Sequence, residues 1–316
     1  MDRYLITGAT GYVGSMFLKE LTKEGGKITA IVRNREKAER MLDSKVDIIV
    51  GDILDTDFIQ RIDRDFDYIV HFAAITKSSE MVSRPVEIID GIVNGTRNIL
   101  EIARRNRLKS MVYVSSMEIY GNIDCFDGHR VKEDELGDLD YFSERSCYPI
   151  GKRTAEHLCY LYSKEFGVPV KIARLSQTFG KGVLPGENRV FAQFAKAAVE
   201  GSDIVLHTKG LSMGNYCDIS DVIAGLKILL DKGNNGEAYN IVNEDNTMGI
   251  REMAKLVAHD IVNDRIKVVY DIDKSNIKGY AADTGIRLSG EKMKKLGFEP
   301  TVSLKDMYLQ MMEEMK

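Results

Sequence analysis

Tyr148 and Lys152 stand in the run Tyr148-Pro149-Ile150-Gly151-Lys152, a spacing that stacks both side chains on one face of a helix, about 6 Å apart along its axis. Such a pair suits proton transfer. A free tyrosine has a pKa of about 10, so roughly one molecule in a thousand is ionised at neutral pH. A neighbouring ammonium lowers such a value by roughly 1 to 3 units, which makes the phenol usable as a base or an acid. Pro149 suits a first helical turn, where its missing N–H costs nothing. Taken alone, the pattern also fits the start of an ordinary amphipathic helix. Upstream, an apolar run ends in Val114-Ser115-Ser116-Met117-Glu118. The Ser116 hydroxyl there can bridge a substrate oxygen and Tyr148, or merely cap a turn.

These residues need a scaffold that brings them together. Short β-branched runs at 4–7, 28–32, 47–50, 68–72, 111–115 and 170–175 alternate with stretches of helical period at 13–23, 35–42, 86–106 and 149–166. That alternation predicts βαβ units and a Rossmann-type α/β fold, a doubly wound parallel sheet buried on both faces. After residue 175 the pattern changes to a glycine-rich stretch at 180–186, a helix at 190–200 and a returning strand at 238–242. We expect a dinucleotide-binding domain over 1–175 with returning segments at about 217–245, and a smaller interleaved substrate lobe from the rest of 176–316.

Between the first strand and helix stands Thr7-Gly8-Ala9-Thr10-Gly11-Tyr12-Val13-Gly14. Glycines in such a turn let the backbone approach a pyrophosphate, whose charge meets free N–H groups at the positive helix end. Gly8, Thr10, Gly11, Tyr12, Val13 and Gly14 are therefore candidate cofactor contacts. An acidic residue at the end of the second strand would accept from an adenosine ribose hydroxyl; here Arg33 and Asn34 stand instead. A guanidinium suits a 2′-phosphate, so NADP is expected over NAD, unless Arg33 is simply a solvated charge. Asp52 could accept from the adenine amine, with Ile53 donating its N–H, or could cap the following turn. Phe72, Ala73 and Ala74 close the fourth strand, where small residues would let a cofactor cross the sheet edge. His71 reads as a packing residue.

Together, residues 7–14, Asp52, 71–74, Asn94-Gly95-Thr96, 115–121 and 148–152 resemble the extended short-chain dehydrogenase/reductases, the NAD-dependent epimerase/dehydratase family. The likeness runs the length of the chain, including 290–300. It implies a catalytic triad of Ser116, Tyr148 and Lys152, with Asn94 supporting the lysine through backbone and water. It also implies a nucleoside-diphosphate sugar substrate, oxidised at a ring hydroxyl to a transient ketone, and a homodimer built on the helices at 86–106 and 149–166.

Three departures from the family pattern bear on the reaction. Sugar 4,6-dehydratases carry Asp-Glu after the triad hydroxyl, whereas Met117-Glu118 stands here, which disfavours dehydration. Glu118 is then a second base, a ligand for a sugar hydroxyl, or a surface carboxylate. Many relatives grip the substrate diphosphate with an arginine where this chain has Gly214, so either another cation such as Arg189 takes that role or the substrate lacks a standard diphosphate. Gln177 matches the family's asparagine near the substrate phosphate. The first reading is an epimerase that recycles its cofactor; the second is an NADPH-dependent keto-sugar or carbonyl reductase; the third is a nucleotide-sugar decarboxylase or dehydratase. A non-enzymatic dinucleotide sensor would leave Ser116, Tyr148 and Lys152 together without a reason.

Composition narrows the partners. The chain has 316 residues, enough for a substantial core, and 44 basic against 48 acidic side chains give a net charge of −4. That balance lacks the basic surplus of nucleic-acid binders. No leader-like segment or membrane-length apolar run is visible, so a cytoplasmic location is expected. Cys125, Cys147, Cys159 and Cys217 form no CxxC pair and read as reduced packing residues, with no metal site foreseen.

Overall fold

The structure, a computed structural model, describes residues 1–123, 127–272 and 285–315. The apolar runs form β1 Arg3–Thr7, β2 Lys27–Val32, β3 Asp47–Val50, β4 Tyr68–His71, β5 Ser110–Ser116, β6 Val170–Leu175 and a last strand, Ala238–Ile241. All seven join one sheet, in the order Ala238–Ile241, β6, β5, β4, β1, β2, β3. Every neighbouring pair is parallel. The predicted doubly wound fold is therefore present.

Helices α1 Tyr12–Lys23, α2 Arg35–Met41, α3 Thr56–Gln60, α4 Ser78–Ser83, α5 Pro85–Arg105 and α6 Cys147–Phe166 connect the strands. Beyond β6 come α7 Val190–Glu200 and α8 Ile219–Lys232. α3 and α4 escape a reading by period because five or six residues span less than two turns. α8 carries its own local signals. Asp218 caps it by accepting from the Ser220 N–H, and Val222, Leu226 and Leu229 recur on its buried side.

Both sheet faces are covered, which explains why the strands read as continuous apolar runs. Phe17 and Leu21 of α1 and Val222 and Leu226 of α8 pack with Ile6, Val70 and Val112 on one face. Ile92 and Ile99 of α5 and Ala155 and Cys159 of α6 pack with Leu5, Ile69 and Met111 on the other. Each fully buried side chain of this size contributes about 1.5–3 kcal/mol. A third cluster around Phe179, Phe191, Met253, Val257 and Tyr308 gathers residues beyond β6. Cys147, Cys159 and Cys217 are buried and free, and Cys125 lies outside the described residues. Among the described residues no helix is long and apolar enough to cross a membrane.

Strand order reverses at β1, which has β2 on one side and β4 on the other, so a crevice opens at their carboxyl ends. His71 ties its floor. Its Nδ1 lies 2.6 Å from Thr7 Oγ1 and its Nε2 3.1 Å from Thr96 Oγ1. Burial, with the Lys152 charge adding to it, pushes the imidazole down to about 3. The residue is neutral packing, as its setting in the sequence suggests.

The folded value of His71 lies below the unfolded value of about 6.5, so the unfolded chain binds the extra proton first as pH falls. Stability is expected to drop between about pH 6.5 and 3, by up to about 1.4 kcal/mol per unit from this residue. Urea unfolding of wild type and His71→Gln across that range checks it; parallel curves would refute the assignment.

Candidate functional site

The turn after β1 is held by its own backbone. Gly8 adopts φ +70°, and a Cβ there would lie 2.7 Å from the Ala73 nitrogen, so only glycine lets β1 and the exit of β4 cross this closely. The Gly11 N–H bonds Gly8 O at 3.0 Å, and α1 begins at Tyr12. The N–H groups of Tyr12 and Val13 have no carbonyl of their own helix to meet, which is the donor set an anionic phosphate needs. Gly14 is buried in the same first turn, and Thr10 is half-buried before it. The Tyr12 hydroxyl donates to Lys181 O at 2.9 Å, joining the turn to the segment after β6. Phe72 packs against Phe17, and the Ala73 N–H reaches Thr7 Oγ1 at 3.4 Å. Ala74 is half-buried beside them.

Other predicted cofactor contacts have local partners. Asn34 Oδ1 caps α2 by accepting from the Lys37 N–H at 2.8 Å. Asp52 Oδ1 accepts from the Leu54 N–H at 2.9 Å, the turn-capping alternative. Ile53 O accepts from Asn98 Nδ2 at 2.7 Å, and its side chain abuts Gly95 of α5. Arg33 is exposed, and no hydrogen bond or ion pair engages it among the described residues.

The Ser116, Tyr148 and Lys152 side chains converge. A short 3₁₀ turn, Glu144–Ser146, leads into α6, which starts at Cys147 and so places Tyr148 in its first turn. Tyr148 is 5% exposed, and its phenol lies near enough to the Ser116 hydroxyl, at the end of β5, to feel it. Ser116 Oγ also accepts from the Glu118 N–H at 3.2 Å. Lys152, 2% exposed, donates to Val114 O at 2.7 Å, with its ammonium 4.7 Å from the Tyr113 ring centre and 5.9 Å from that of Tyr148.

The electrostatics differ from the expected lowering of the phenol. Burial raises Tyr148 well above its ordinary value, and the Glu118 charge adds to the rise. The nearby Ser116 hydroxyl and the charges of Arg145 and Arg189 work against it. Lys152 is itself pushed down to about 8 by burial, with the Glu156 carboxylate opposing that shift. Desolvation wins because both groups sit between α6 and β5, out of reach of solvent. Glu156 is held by Arg174 at 2.7 Å and by the Ser115 hydroxyl, which links the buried face of α6 to β5 and β6.

The remaining predicted residues spread outward. Glu118 is exposed and ion-paired with Arg145 at 2.8 Å. The Asn94 side chain lies on the exposed face of α5 and bonds Asp90 at 3.3 Å, while the buried face beside Gly151 carries Ile89 and Ile92; a contribution to Lys152 would come through its backbone. Asn94 and Ile92 stand two residues apart on a helix and so face different ways. Gln177 is half-buried and opens the strand Gln177–Phe179, bonded through its N–H to Asn215 O at 2.9 Å. Arg189 stands just before α7 and pairs with Glu187 at 2.6 Å. At Gly214 a Cβ would lie 2.2 Å from the Tyr216 hydroxyl, so no side chain fits there unless that ring moves. Arg145 was missed in the sequence because nothing in a charged loop marks which residue will meet a carboxylate remote in the chain. No cluster of metal-ligating side chains occurs among the described residues.

A parallel sheet with a glycine turn at its switch point and a serine, tyrosine and lysine converging beside it defines the extended short-chain dehydrogenase/reductase class. The chain belongs to the NAD dependent epimerase/dehydratase family, whose model matches residues 4–243. It is 29% identical over 308 residues to the UDP-N-acetyl-alpha-D-glucosaminuronate decarboxylase of Bacillus cytotoxicus, covering 95% of this chain and 94% of that one. It is 28% identical over 256 residues, 81% of this chain, to UDP-glucuronic acid decarboxylase 1 of Danio rerio, of whose length the match spans 60%. The fold is shared with the UDP-glucuronic acid 4-epimerase of Bacillus cereus, solved with UDP-glucuronic acid and NAD, at TM-score 0.82 and 23% identity, covering 99% of this chain and 100% of that one.

Proposed function

We propose that this chain modifies a nucleoside-diphosphate sugar by oxidising a ring hydroxyl to a transient ketone and reducing it again, with NAD(P) retained between the two steps. The convergence of Ser116, Tyr148 and Lys152 at the carboxyl end of β5 carries the reading. The turn from Gly8 to Gly14 fits the dinucleotide, because its close backbone crossing leaves the first N–H groups of α1 open to a pyrophosphate. Bound there, the nicotinamide ring supplies the acceptor and donor of hydride. Tyr148 removes the hydroxyl proton and later returns it, while Ser116 holds the same oxygen. Lys152 carries its charge below about pH 8, with its ammonium 5.9 Å from the Tyr148 ring centre.

Returning the hydride to the opposite face gives an epimer, the first of the readings above. Decarboxylation, the third of those readings, moves ahead of net reduction because both relatives are named as decarboxylases of nucleotide-linked uronic acids. A ketone β to a carboxylate makes that C–C bond labile: carbon dioxide leaves, and its bonding electrons enter the enolate that is then protonated. Net reduction would need NADPH in stoichiometric amounts.

A panel of nucleotide sugars, with and without added NADPH, separates these by mass and NMR: an isomer of unchanged mass, loss of carbon dioxide, or NADPH consumed one for one. Tyr148→Phe is expected to cut turnover by about 10²–10⁴-fold while leaving the cofactor dissociation constant nearly unchanged; unimpaired turnover would refute the proton-transfer role.

The exposed, unengaged Arg33 at the end of β2 supports a preference for NADP. Titration calorimetry with both cofactors is expected to show tighter NADP binding that Arg33→Ala abolishes, and a clear NAD preference in the wild type would overturn this.

A homodimer through the outer faces of α5 and α6 is part of the same reading. Tyr160 and Leu161 of α6 are each more than two-fifths exposed there. Sedimentation is expected to give twice the 35.5 kDa chain mass, and Leu161→Glu to halve it; a monomeric wild type would end the idea.

A further inference from the structure

The Glu118–Arg145 pair stands at the reacting end of the site and is not used by the proton-transfer steps. Arg145 lies in the 3₁₀ turn Glu144–Ser146, so the start of α6 fixes it three residues ahead of Tyr148. Glu118 follows Ser116 by two residues in the turn that leaves β5. The two side chains are 37% and 40% exposed, open to a ligand rather than sealed in the core. Their charges act on the Tyr148 phenol in opposite senses, in keeping with their places two residues after Ser116 and three before Tyr148.

Two cations act on that phenol, and they differ in what they have left to offer. Arg189 commits Nε and Nη2 to Glu187, at 3.0 and 2.6 Å, and packs over the Phe191 ring. Arg145 meets Glu118 through Nη2 at 2.8 Å, and no hydrogen bond engages its Nε or Nη1 among the described residues. A guanidinium has five donors in a planar fork, so Arg145 can hold a second carboxylate while Glu118 keeps the fork aimed.

The chemistry of a pyranose then selects the ligand. If the ketone forms β to a ring carboxylate, as decarboxylation requires, the reacting hydroxyl is the one at C4; the diphosphate hangs on the anomeric carbon across the ring and so points away from the end that Ser116 and Tyr148 would hold. A cation at the reacting end faces instead the substituent on the neighbouring ring carbon. A neutral hydroxymethyl group gives a half-exposed guanidinium little to bind; a carboxylate matches it in charge and in bidentate shape.

Resting on the nucleotide-sugar reading above, we propose that Arg145 receives a carboxylate borne by the sugar ring, so that the substrate is a nucleoside-diphosphate-linked uronic acid, with Glu118 orienting the guanidinium. Arg145 is then a specificity determinant and Glu118 a positioning residue.

The test compares UDP-glucuronic acid with UDP-glucose by calorimetry on the full chain saturated with cofactor. The wild type is expected to prefer the uronate by about 10- to 100-fold, the scale of one charge-assisted pair. Arg145→Gln is expected to remove that preference and leave UDP-glucose affinity within about twofold, Arg145→Lys to restore part of it, and Glu118→Gln to weaken uronate binding more than glucose binding. Melting temperatures of the variants report whether each folds. Equal affinity of the wild type for both sugars overturns the proposal, as does equal loss of both in a folded Arg145→Gln, which would make Arg145 a diphosphate ligand or a structural residue. Failure of the wild type to bind either sugar overturns the nucleotide-sugar reading as well, whereas a preference for UDP-glucose sinks the carboxylate receptor alone.

Discussion

One hydrogen bond, from the buried Lys152 ammonium to the Val114 carbonyl, joins α6 to the end of β5, and the geometry of the site depends on it. An unpaired ammonium at this depth would be costly, so the helix must seat its lysine where a carbonyl can take the charge. Val114 is two residues short of Ser116, and Lys152 one turn beyond Tyr148. Docking the first contact therefore brings the second pair together. The buried Glu156, held by Arg174 and Ser115, continues the same face of α6 and keeps a negative charge near the lysine.

The same burial sets a conflict. Enclosing Tyr148 raises its proton affinity, which opposes the phenolate, while Ser116 and the cations around it pull the other way. Enclosure also removes the water that would screen those cations, so each acts more strongly than it would at an open surface. Glu118 sharpens the balance, since its charge raises the phenol while its ion pair holds Arg145 beside it. A ligand that shares Arg145 changes that balance at the atom where the proton moves.

Much of this was legible in the chain. Alternating β-branched runs and helical stretches foretold the seven sheet strands and most of the helices beside them to within two residues, because burial on both faces leaves continuous apolar runs. The glycine turn and the Tyr148–Lys152 spacing were equally plain, being local patterns. α8 carried the same kind of signal in its capping Asp218 and apolar period. Helical phase decides that the Asn94 side chain faces outward, since its neighbours Ile92 and Gly95 are the buried ones.

The sequence by itself determined what depends on near neighbours: the period of each element, the glycine that a positive φ requires, and the tyrosine one turn from its lysine. Tertiary structure alone decided what depends on segments remote in the chain. Asp52 and Asn34 turn their side chains to their own backbones, Arg33 stays open, and Glu118 finds Arg145. The physical reason is range. Backbone preference and side-chain period act over one or two turns, whereas an ion pair or a burial shift depends on which surfaces the fold closes together.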